Sequence, residues 1–105
     1  MDARVPALIS RAEHLCRVIR HLQGDSAIVH ESNKYLGALE MHLRDFESDE
    51  SLRAHIVREQ QWSQYSEENA IDSFEFRLER AAIAIENYVN KGQFNCGYWH
   101  PLKKE

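Results

Sequence analysis

Residues 66–92, SEENAIDSFEFRLERAAIAIENYVNKG, decide the fold of this chain. Ser66 followed by Glu67 and Glu68 is the composition of a capped helix start, with carboxylates at the positive end of the dipole. Gly92 stands where a helix stops. Between them Ile71, Phe74, Leu78, Ala81, Ile85 and Tyr88 recur at alternating steps of three and four, widened by Ala82 and Val89. The middle run, Ala81-Ala82-Ile83-Ala84-Ile85, is apolar around most of its circumference and predicts a helix wrapped by other helices.

Working toward the N-terminus, Val5, Leu8, Ala12, Leu15, Ile19 and Leu22 form a second stripe, broadened by Ile9 and Cys16. Pro6 is tolerated in the first turn, and Gly24 is the expected C-terminal cap. Asp25 or Ser26 can cap the next helix, which runs to about Phe46 with Val29, Leu36, Leu39, Leu43 and Phe46 inward. Ser32 falls on that inward face. Gly37 costs roughly 1 kcal/mol against Ala inside a helix, so it is expected to mark a close helix approach. Glu47-Ser48-Asp49-Glu50 reads as a break and a new cap. A short third helix, residues 49–62, follows with Leu52, Ile56 and Trp62, separated from the fourth helix rather than continuous with it.

Strand-like alternation is nearly absent. The expected fold is therefore all-α: a three- or four-helix bundle with short loops, spanning residues 1–105 as a single domain. The stretch 93–105, QFNCGYWHPLKKE, breaks the periodicity and is expected as an irregular aromatic C-terminal tail packing on or near the bundle.

Charge narrows the function classes. The net charge is −4, and residues 25–60 alone hold eight acids against four bases. A phosphate backbone demands clustered Lys and Arg. A helix-turn-helix in residues 49–80 would present Glu67, Glu68, Asp72 and Glu75 to DNA, so direct nucleic-acid binding is not expected. Net acidity instead suits encounter with a basic protein surface. No apolar run reaches the ~20 residues of a membrane span. No leader is evident at the start, and the cysteines, Cys16 and Cys96, form no CxxC. A cytoplasmic protein with reduced thiols is the expectation.

No chemical motif emerges. Six histidines are scattered, with no Glu-x-x-His; His42 with Asp45 and His55 with Glu59 are the pairs at ligand spacing within one expected helix. There is no glycine-rich phosphate loop and no nucleophile elbow. Cys96 near His100 lacks an orienting third group. Neither catalysis nor a cofactor or metal is expected.

What remains is surplus apolar surface. Phe76 and Ile83, seven residues apart, fall outside the core stripe of the long helix, and the tail adds Phe94, Tyr98 and Trp99. Aromatic residues are enriched in interface cores, and burying one is worth roughly 1.5–3 kcal/mol. The expectation is a small regulatory or antagonist protein that blocks a protein partner sterically, with these five residues as anchors, and which can form a homodimer. The alternative is a metal- or ligand-binding bundle using His and carboxylate side chains.

Overall fold

The computed structural model describes residues 2–61 and 64–97. Four α-helices follow one another there: α1, Val5–Leu22; α2, Val29–Asp45; α3, Asp49–Glu59; and α4, Glu67–Lys91. No strand occurs among the described residues, and the architecture is the expected helical bundle.

Helices α1, α2 and α4 pack on one another, while α3 is a shorter addition leaning on α2 and α4. Polar ties at the two ends give the directions. Arg4, at the start of α1, bonds Glu68 at the start of α4 at 3.1 Å. Tyr88, near the end of α4, donates its Oη proton to Asp25 Oδ2, just beyond α1, at 2.6 Å. The two helices thus run the same way, and α2 returns between them.

The start and stop signals of α4 act as the residues demand. Ser66 Oγ accepts from Asn69 N–H, and Asn69 Oδ1 accepts from Ser66 N–H, a reciprocal capping box. Gly92 ends the helix at φ 79°, the left-handed region where a side chain is strained. Ser48 Oγ accepts from Ser51 N–H and caps α3. The break between α3 and α4 is therefore real.

Ile71, Phe74, Leu78, Ala81 and Ala84 of α4 are buried against Val5, Leu8, Ala12, Leu15 and Ile19 of α1 and Leu36, Leu39 and Phe46 around α2. Ser32 is also fully buried. Its hydroxyl donates to Ile28 O at 2.7 Å and accepts from Gln23 Nε2 at 2.8 Å, so a polar residue sits in the core without an orphaned atom.

Several local expectations fail for physical reasons. Gly24 is not a left-handed cap; α1 closes on Gln23 in a right-handed conformation. The second helix begins with a single 3₁₀ turn, Ser26–Ile28, capped by Asp25, before α2 proper. Gly37 admits no close neighbour: a Cβ there would meet nothing within 4 Å. Val89, expected to widen the core stripe, is instead 68 % exposed. The run 81–85 is only partly wrapped, with Ala82, Ile83 and Ile85 half-buried. No helix among the described residues is long and apolar enough to cross a membrane.

Candidate functional site

The three expected anchors among the described residues, Phe76, Ile83 and Phe94, lie in different environments. Phe76 is 42 % exposed on α4, whereas Ile83 is half-buried. Phe94, expected on a binding surface, lies in the core at 3 % exposure. Its ring packs 5.6 Å from Tyr35 and 6.0 Å from Tyr88, since Gly92 turns the chain back across α2 and α4. The return is pinned by Cys96 N–H donating to Tyr35 Oη at 3.1 Å and by Asn87 Nδ2 donating to Asn95 O at 2.8 Å. Tyr98 and Trp99 lie outside the described residues.

Phe76 belongs to a different grouping. Ser73, Phe76, Arg77 and Arg80 recur at steps of three, one and three, which places them along one flank of α4. That flank faces Lys34, Tyr35 and Ala38 of α2 across a cavity of about 400 Å³. The Arg80 guanidinium lies over the Phe76 ring, 5.4 Å from its centroid. Arg80 Nη2 donates to Cys96 Sγ at 3.2 Å, a weak acceptor, and Arg80 Nε is buried with no acceptor at all. Burial lifts the Tyr35 phenol above its ordinary range, with its contact to Cys96 adding to the effect, so it is uncharged at neutral pH.

Three cations thus surround one groove in a chain of net charge −4. Among the described residues, Arg77 and Arg80 are the two half-buried arginines, and neither has a carboxylate at ion-pair distance. The exposed Arg4, Arg20 and Arg58 each have one, at Asp2 and Glu68, at Glu40 and at Asp45 respectively. Cations gathered around one recess without a carboxylate partner among the described residues give the groove a local positive sign.

A second cluster lies where α2, α3 and α4 meet. His42 is 3 % exposed, stacked on Phe74 with centroids 5.2 Å apart and planes 22° apart, and neither ring nitrogen has a hydrogen-bond partner. Burial, then the positive charge of Arg77 and His55, pushes it down to about 4. Asp45, three residues on, turns away from His42 toward α3, its Oδ2 3.4 Å from His55 Nδ1. The other nitrogen, His55 Nε2, lies 3.3 Å from Tyr65 Oη, so Asp45, His55 and Tyr65 form a line from the core toward the α3–α4 linker. His42 with Asp45 and His55 with Glu59, the pairs at ligand spacing, are thereby regrouped across helices. No group of three or more His, Cys, Asp or Glu is gathered for a metal among the described residues.

The sequence pointed to Phe76 but passed over Lys34, Tyr35, Ser73, Arg77 and Arg80. The available signal was the 73–76–77–80 flank, an aromatic between two arginines on one helical face. Comparison with protein-family models, with curated proteins and with solved structures returns no match, so the groove's geometry is the ground for any functional assignment.

Proposed function

We propose that the chain is a small regulatory protein that binds another protein and blocks that partner's functional surface sterically, with the α2–α4 groove as its docking face. One observation supports this: Phe76, an exposed aromatic, borders a cavity of about 400 Å³ whose Lys34, Arg77 and Arg80 have no carboxylate at ion-pair distance among the described residues. Aromatic and arginine side chains grouped around a recess are the composition of an interface hot spot. The mode is binding without turnover, and the proposed setting is the cytoplasm, where Cys16 and Cys96 stay as the free thiols of the structure.

Net acidity alone favours a basic partner, but the groove carries the opposite local sign. Its proposed occupant is an acidic segment with an apolar side chain to rest on Phe76, the remaining carboxylates of the surface serving to repel wrong partners. A second copy of the chain, rich in exposed carboxylates, is the competing occupant, and sedimentation at rising concentration separates a homodimer from a monomer that awaits a partner.

Selection of random displayed peptides against the folded protein tests the proposal. Enriched peptides are expected to be acidic with an aromatic or aliphatic residue, and to lose binding to a Phe76→Ala/Arg80→Gln variant that keeps its helical circular dichroism. Enrichment of basic or uncharged peptides, or binding indifferent to the double variant, overturns it.

A further inference from the structure

Resting on the groove as a docking site, we infer that the segment it takes carries a phosphate monoester, held by Lys34 of α2 together with Arg77 and Arg80 of α4.

Three features separate this groove from ordinary surface charge. First, the arginines without a carboxylate partner elsewhere, Arg11, Arg17, Arg44 and Arg53, are exposed to water, whereas Arg77 and Arg80 are half-buried. The former are spread over the open surface, whereas the latter, with Lys34, bring their charges to one recess. Second, Arg80 has five N–H donors and uses one on a thiol sulfur, while its buried Nε has no acceptor. A multi-oxygen anion in the groove satisfies the terminal Nη donors better than the thiol sulfur does. Third, the cations stand beside Ser73, a further donor, and beside the Phe76 ring already faced by Arg80.

The count of charges chooses among anions. A carboxylate brings one negative charge and two oxygens to three cations. A phosphate monoester brings a charge of about −1.5 to −2 at neutral pH and three acceptor oxygens, matching two guanidinium groups and an ammonium. Clustered arginines are the usual device for reading phosphorylated side chains. The Phe76 wall favours an ester whose carbon portion is aromatic, since a ring can lie along it while the phosphate reaches Arg77 and Arg80.

Phenyl phosphate, benzoate and inorganic phosphate, titrated into the full-length protein and followed through the Nε–Hε resonances of Arg77 and Arg80, test the assignment. Phenyl phosphate is expected to shift both resonances and to bind at least about tenfold tighter than either benzoate or inorganic phosphate. Arg80→Gln and Lys34→Gln, each checked for intact helicity, should each weaken it about tenfold, and affinity should fall as pH drops below the phosphate's second pKa of about 6. Benzoate binding as tightly as phenyl phosphate overturns the phosphate assignment, and inorganic phosphate binding as tightly overturns the ester. Either result leaves the acidic-segment reading standing, because the peptide selection contains no phosphate.

Discussion

His42 lies flat against Phe74 in the bundle core, 5.2 Å between ring centroids, with both of its nitrogens lacking a hydrogen-bond partner. An imidazole so placed is tolerated only when neutral, because the charged form loses its water and gains no acceptor. Phe46 lies 5.0 Å from Phe74 and 6.5 Å from His42, so the three rings form a compact triangle in which only His42 can titrate.

The first prediction concerns pH. The folded-state value of about 4 lies below the ordinary 6.5, so the unfolded chain binds more protons between them. The stability contributed by neutral His42 is fully present above pH 6.5 and is lost as pH falls toward 4. A drop of about 2 kcal/mol between pH 7.5 and pH 5 is expected from this group. Urea denaturation at the two pH values measures it, and in His42→Leu the difference should shrink by about that amount.

Arg77 couples that core ring to the groove. Its charge is the second cause of the low His42 value, after burial. Arg77→Gln should therefore raise the His42 pKa, because the neutral side chain no longer opposes protonation. Two-dimensional NMR of the histidine ring protons across a pH titration reads the shift directly. An unchanged midpoint would separate the two clusters.

Neighbouring aromatics on α4 should behave oppositely. Phe74 is wholly buried, and Phe74→Ala is expected to cost about 3–5 kcal/mol through lost burial and a cavity. Phe76 is 42 % exposed with the Arg80 guanidinium over its ring, and Phe76→Ala should cost much less than Phe74→Ala, about 1 kcal/mol. Chemical denaturation of the pair checks the contrast, which is what allows Phe76 to be altered in binding assays without unfolding the protein.

Two glycines should respond with opposite signs. Gly37→Ala is expected to stabilise by about 0.5–1 kcal/mol, since a methyl there meets nothing and alanine is the better helix former. Gly92→Ala should destabilise by about 1–2 kcal/mol because φ 79° disfavours any side chain. Thermal melts of both variants at pH 7.5 suffice.

The all-α class and the end signals of the long helix at Ser66 and Gly92 were determined by the sequence alone, whereas the choice between three and four helices was not. Those features depend on residues within a turn of one another: apolar spacing of three and four, a hydroxyl before an acidic turn, a glycine at a helix end. The groove depended on the fold. Lys34 and Arg80 are far apart along the chain, and only the return of α2 beside α4 brings them around one cavity. Phe94 shows the same limit from the other side: an aromatic past a helix end reads equally well as an anchor or as core. The backward turn at Gly92, and the hydrogen bond from Cys96 N–H to Tyr35, place it in the core. Burial and charge pairing are properties of surfaces that meet in space, and one-dimensional spacing fixes only which face of each helix has something to meet. For residues 66–92 that face was legible in full as far as Ala81, and its other flank acquired meaning only when α2 supplied the opposite wall.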